Sequence, residues 1–274
     1  MNIEKYINNE IISFNKDLDV FLNKHKSNTK IYKVMCYSLK NGGKRLRPII
    51  IKEIAKSLNL NKSQYIKSMI AIELVHSYSL IHDDLPCMDD DDYRRGRLST
   101  HKRYDEAQAI LAGNSLLTMA FNLLSQDSNL LLVKLISELS GYDGLAGGQS
   151  LDIDSIKKKL SYKLIDEIHD LKTAKLFEFC TSAPFIISDA NKEKIKMSRK
   201  YGKIIGKVFQ IIDDVHDYEN KSYEFINILN VITKDEALKR CNDYELEADM
   251  LRKKIIPNKK SRMKDILSFI INQK

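Results

Sequence analysis

Residues 62–89 read KSQYIKSMIAIELVHSYSLIHDDLPCMD. Within this stretch Ile66, Met69, Ile70, Leu74, Ser77 and Leu80 recur at spacings of three and four, the period of a helix face turned to a core. The helical pattern ends at Asp83 and Asp84, because Pro86 breaks the hydrogen-bond ladder and disfavours helical backbone at Leu85. The bend this forces can bring Asp89 back beside Asp83, although a spacing of six residues does not fit one straight helix. Beyond it, residues 85–101 are polar and irregular and read as a loop.

The same period appears on both sides, at roughly 2–25, 30–40, 46–58, 104–125, 128–140, 161–182, 190–218, 233–255 and 261–272. Tight connections are expected at Asn41-Gly42-Gly43 and around Gly141–Gly148. Ten glycines and four prolines make up about 5% of 274 residues, against an average near 12%. So few turn formers argue against many short strands. The expected fold is all-α, one domain over residues 1–274, without internal repeats.

A second acidic cluster, Asp213-Asp214-Val-His-Asp217, follows another apolar helical stretch. Asp213 and Asp217 stand one turn apart and share a face, so both can approach one ion, while Asp214 lies a step round. Carboxylates packed this closely repel one another, and a multivalent cation is the usual reason to tolerate them. Either cluster alone could be a solvated acidic run. Their joint occurrence favours Mg2+ completing its shell with phosphate oxygens.

Cations with matching chemistry are present. Gly42-Gly43-Lys44-Arg45-Leu46-Arg47-Pro48 sets flexible backbone before three basic residues, which suits a diphosphate. His76 lies two turns before Asp83 and nearly in line with it; Arg94 and Arg95 follow the first acidic cluster. Lys172 and Thr173 are weak signals alone, and Gln210 gains weight from standing three residues before Asp213.

The net charge of +8 includes a basic stretch near the C-terminus, read as a solvated surface. No nucleic-acid-binding motif accompanies it. Cys36, Cys87, Cys180 and Cys241 lack metal-ligand or redox spacing and are expected to be reduced and mostly buried, as in a cytoplasmic protein. No continuous apolar run reaches the roughly 18 residues of a membrane span.

With GGKRLRP at 42–48, HSYSLIHDDLPCMDDDDYRRG at 76–96, GGQSLD at 147–152, KT at 172–173 and GKVFQIIDDVHD at 206–217, the chain resembles the trans-isoprenyl diphosphate synthases, or polyprenyl synthetases. It looks most like the bacterial farnesyl diphosphate synthases. The resemblance implies a homodimer whose helices surround a deep cavity. It makes Asp83, Asp84, Asp89 and Asp213 the metal-binding carboxylates for three Mg2+ ions, with Asp214 and Asp217 completing the second motif. Lys44, Arg47, His76 and Arg95 would hold isopentenyl diphosphate. Arg94, Lys172, Thr173 and Gln210 would face the allylic diphosphate. An aromatic at Tyr78, with Pro86-Cys87 inserted in the first motif, goes with a fifteen-carbon product in similar enzymes; a geranylgeranyl diphosphate synthase is the alternative.

The chain also departs from that pattern. Residues 218–231 contain no glycine and are short, with Lys221 their only cation, and Ala174-Lys175 replace the usual residues after KT. A class I terpene cyclase would carry a different second acidic motif. A non-catalytic regulatory subunit tends to lose an acidic motif or the isopentenyl-site cations, and both are present here.

Overall fold

In the computed structural model, residues 2–127, 129–219, 226–256 and 261–272 are described. The protein is all-α, 77% helix and 2% strand. The helices are α1 (Ile3–Lys24), α2 (Lys30–Leu39), α3 (Leu46–Ser57), α4 (Lys62–Asp83), α5 (Thr100–Arg103), α6 (Glu106–Ser125), α7 (Leu130–Ser140), α8 (Leu145–Ser155), α9 (Tyr162–Ile168), α10 (Lys175–Ile187), α11 (Lys192–Glu219), α12 (Lys234–Ile255) and α13 (Met263–Ile271). A π-helical turn, His169–Ala174, joins α9 to α10. The chain forms two compact units, one of Met1–Ile49 with Ile66–Val133 and one of Ile50–Tyr65 with Lys134–Lys274.

In the first unit α6 packs on α2 and α5. The loop after α4 carries a two-residue-strand hairpin, β1 (Tyr93–Arg94) and β2 (Arg97–Leu98), in place of wholly irregular chain. Its turn residues Arg95 and Gly96 both have positive φ, 54° and 73°, which is what a two-residue hairpin requires. By averaged hydropathy α6 is long and apolar enough to cross a membrane, with a mean of 1.3 over a window that is 39% buried. It passes without a continuous apolar run because it is rich in Ala and Leu and nearly free of charge.

In the second unit α11 lies against α10, α12, α13 and the π-helical turn. Every residue of α10 from Leu176 to Ile186 is buried, the mark of a core helix. Its polar members are satisfied within: Thr181 and Ser182 donate to carbonyls one turn back, and Glu178 accepts from Arg199 Nε at 3.0 Å. Thr233 and Glu236 form a reciprocal capping box that starts α12.

The glycines around 141–148 do more than turn the chain, since Gly147 and Gly148 lie inside α8. A Cβ on Gly148 would stand 2.3 Å from Lys172 N, so its absence lets α8 press on the backbone of the π-helical turn. From the other side, a Cβ on Gly206 of α11 would reach Ala174 Cα at 2.5 Å. Two cysteines, Cys180 and Cys241, are buried as expected, whereas Cys87 is exposed and Cys36 half-buried.

Gly206→Ala should gain about 1 kcal/mol of helix propensity and lose more, about 2–3 kcal/mol, to a clash with backbone that has little room to yield. Urea unfolding should therefore show a lower midpoint; a midpoint equal to or above that of the wild type would contradict the close packing.

Candidate active site

The first acidic cluster folds back on itself. Asp89 N donates to Asp83 O at 2.9 Å, while Met88 N and Asp90 N both donate to Leu85 O. The bend forced at Pro86 thus sets Asp83, half-buried at the end of α4, beside Asp89, which is exposed. Asp84 differs from both. Its side chain is 4% exposed and is gripped by Arg94, with Nε and Nη2 at 2.8 and 2.6 Å from Oδ1. Burial raises the Asp84 carboxyl above its usual range, and Arg94 works against that rise. Arg94 Nη2 also meets Asp91 at 2.7 Å.

The basic motif is built on left-handed backbone, with φ of 70°, 109° and 46° at Gly42, Gly43 and Arg45. Arg95 Nη1 donates to Gly42 O at 2.8 Å, and its guanidinium covers Gly43 so closely that a Cβ there would meet Nη1 at 2.6 Å. Asn41 Nδ2 donates to Arg94 O at 2.8 Å, so the motif's turn and the hairpin are joined twice. Lys44 is exposed and Arg47 half-buried.

Arg45, the middle cation of the motif, points inward. It forms a buried ion pair with Glu73 at 2.5 Å, donates to Leu39 O and Asn15 Oδ1, and lies over the Phe14 ring. Arg47 Nη1 stands 3.4 Å from His76 Nε2. Burial, then the charges of Arg47, Arg95, Arg45 and Arg94, hold the His76 pKa well below 6.5. His76 is therefore a neutral ring that receives Arg47 and adds no charge of its own. Tyr78 is 8% exposed and edge-on to His82, with centroids 5.8 Å apart. Burial and the nearby Asp83 push its hydroxyl up to about 12.

In the second unit Asp213 and Asp217 share a face of α11, both half-buried. Asp214 is 3% exposed and acts as a hub. Its Oδ1 accepts from Gln210 Nε2 at 2.9 Å, its Oδ2 accepts from Ile228 N at 2.7 Å, and its carbonyl accepts from Asn227 Nδ2 at 2.8 Å. His169 Nε2 stands 3.2 Å from Oδ2. Thr173 Oγ1 donates to Gln210 Oε1 at 2.7 Å, which connects the π-helical turn to the hub. Lys172 meets Asp152 at 2.5 Å. Lys175, one of the two departures after KT, pairs with Glu178 at 3.5 Å. Lys221 lies outside the described residues.

The sequence brought forward the acids and bases but not their holders. Asp152 ends the GGQSLD motif, and its place there was the available signal. Glu73 announces itself as one acid in the apolar run AIELV, where a buried partner is needed. Nothing local marked Asn227. Each cluster offers carboxylate oxygens without sulfur, Asp83 and Asp89 in the first unit and Asp213 and Asp217 in the second, and donors of this kind fit a hard cation such as Mg2+.

The polyprenyl synthetase family model matches residues 28–235. The farnesyl diphosphate synthase of Bacillus subtilis is 41% identical over 210 residues, 74% of this chain and 71% of that protein. That of Micrococcus luteus is 40% identical over 237 residues, 82% and 80% of the two chains. Among solved structures, an FPP/GFPP synthase from Zymomonas mobilis superposes with a TM-score of 0.90 at 29% identity, over 97% of this chain and 99% of that one. The chain belongs to the polyprenyl synthetase family, whose members depend on magnesium.

The depressed His76 pKa carries a sign. The folded protein resists protonating this ring, so its contribution to stability is full above about pH 6.5 and is lost as pH falls below it. The stability difference between wild type and His76→Asn, from urea unfolding without ligands, should shrink between pH 7 and pH 5. A constant difference would mean that His76 titrates normally.

Proposed function

We propose that the protein is a short-chain trans-prenyltransferase that condenses isopentenyl diphosphate with dimethylallyl or geranyl diphosphate to give farnesyl diphosphate. The observation carrying this reading is the pairing of two carboxylate clusters with an ordered set of cations, on a chain 40–41% identical to farnesyl diphosphate synthases. Asp83, Asp89, Asp213 and Asp217 would hold magnesium, three ions in all. When bound, magnesium neutralises the diphosphate as it departs.

The chain's own residues do the rest. Lys44, Arg47 and Arg95 take the diphosphate of isopentenyl diphosphate, and neutral His76 orients Arg47. Lys172, with Thr173 and Gln210 fixed by the Asp214 hub, serves the allylic diphosphate. Asp84 has its carboxylate on Arg94 and works by placing that guanidinium on the allylic side. Such donors, set in advance, stabilise negative charge as it develops, and losing one contact of this kind typically costs about a hundredfold or more in rate. The allylic C–O bond breaks with its electron pair going to diphosphate. The isopentenyl double bond then forms the new C–C bond, and one proton is lost. That proton can leave on the released diphosphate, and no side chain is assigned as base.

Tyr78, buried five residues before Asp83, is the proposed stop for the growing chain. The homodimer is also part of this reading, supported by exposed Ile110 and Leu111 on α6 and Leu130 and Leu131 on α7. A cytoplasmic setting goes with four unpaired cysteines.

Purified protein incubated with Mg2+, labelled isopentenyl diphosphate and either starter should give mainly a fifteen-carbon alcohol after dephosphorylation. A twenty-carbon product would shift the reading to geranylgeranyl diphosphate synthase, and no product would point to a regulatory subunit. Tyr78→Ala should lengthen the product; an unchanged length removes Tyr78 as the stop.

A further inference from the structure

We propose that Asp90, Asp92 and His101 form a separate cation site, suited to a borderline divalent ion such as Zn2+ or Co2+. One ligand atom from each of the three lies within 4.8 Å of the others. Two ligands on one ion can be at most about 4.4 Å apart, twice a bond of roughly 2.0–2.2 Å, so small side-chain rotations close the site.

The two aspartates are exposed, and as an acidic pair they would carry no argument. His101 supplies it. The ring is 7% exposed, its Nδ1 lies 3.1 Å from Ser99 Oγ, and its Nε2 is buried without a hydrogen-bond partner. Buried ring nitrogens are ordinarily satisfied. An imidazole with one nitrogen fixed by a hydroxyl and the other open has the form of a metal-binding histidine. Ser99 N also donates to Asp92 O at 2.9 Å, which ties the histidine's turn to the loop bearing both carboxylates.

The chemistry separates this site from the all-oxygen clusters, Asp83 with Asp89 and Asp213 with Asp217. Imidazole nitrogen favours zinc and cobalt, whereas magnesium prefers oxygen. Lys102 Nζ meets Asp92 Oδ1 at 2.8 Å, but both groups are exposed and such pairs are readily exchanged. A bound ion would fasten the loop of Asp89 and the Arg94-Arg95 hairpin to α5, giving a structural or regulatory metal beside the catalytic carboxylates.

The test is a Co2+ titration of untagged, metal-free protein in excess Mg2+, followed by visible absorption and by the histidine imidazole NMR signals. One Co2+ per chain should bind with perturbation of one imidazole. Asp92→Asn and Asp90→Asn, both at exposed positions, should weaken it about tenfold or more, and Asp213→Asn should leave it unchanged. His101→Gln should abolish the imidazole signature, while the exposed aspartate variants carry the test if that protein fails to fold. Absence of Co2+ binding in excess Mg2+ would overturn the proposal. So would binding that survives the Asp90 and Asp92 substitutions and disappears with Asp213→Asn.

Discussion

The first unit is organised by one guanidinium. Arg45 draws α1, α2 and α4 together, donating to Asn15, Leu39 O and Glu73 and lying over Phe14. Its ion pair with Glu73 is nearly dry, so removing either partner alone would strand a charge, typically at a cost of about 3–5 kcal/mol. The turn that leads into the buried Arg45 has left-handed backbone at residues 42, 43 and 45. That turn carries Lys44 outward, offers Gly42 O to Arg95, and begins α3 with Arg47 facing His76. The exposed chemistry of this motif therefore depends on a buried contact that never touches a ligand.

Asp214 plays the comparable part in the second unit. It is acidic and sits within the second motif, yet its oxygens accept from Gln210 and Ile228 N, with His169 Nε2 3.2 Å away. Asp213 and Asp217 hold the outward positions on the same helix. The step round the helix that sets Asp214 apart from Asp213 and Asp217 in the sequence separates, in the structure, two half-buried carboxylates from a buried one that fixes their surroundings. Asp84 shows the same division in the first cluster, with Arg94 as its partner.

Much of this was legible because it rests on local rules. Helical period and the Pro86 break placed α4 and its end, and the proximity of Asp89 to Asp83 followed from the bend. The π-helical turn at 169–174 was not legible, since the period expected over 161–182 runs on through it. The single-turn helix α5 lies at the end of a stretch too polar and irregular to read as helix. The glycines of 141–148 misled for a different reason. Glycine signals a turn locally, but Gly148 is required by the approach of a segment distant in sequence. Inward-facing members of the charged motifs were hidden likewise: composition reports a charge and not the direction in which it points.

Lys172 on Asp152 and Arg94 on Asp84 share a property that bears on how ligands arrive. These cations do not wait in water as loose side chains. Each is held straight by an internal acid, so much of its conformational entropy is already surrendered before any anion comes. On the proposed function, a phosphate reaching them would exchange with a resident carboxylate rather than fill an empty seat. The internal acids would set a threshold that weakly charged or monovalent anions cannot outcompete. Selectivity for a doubly phosphorylated group would then reside as much in what the protein holds against itself as in what it offers outward.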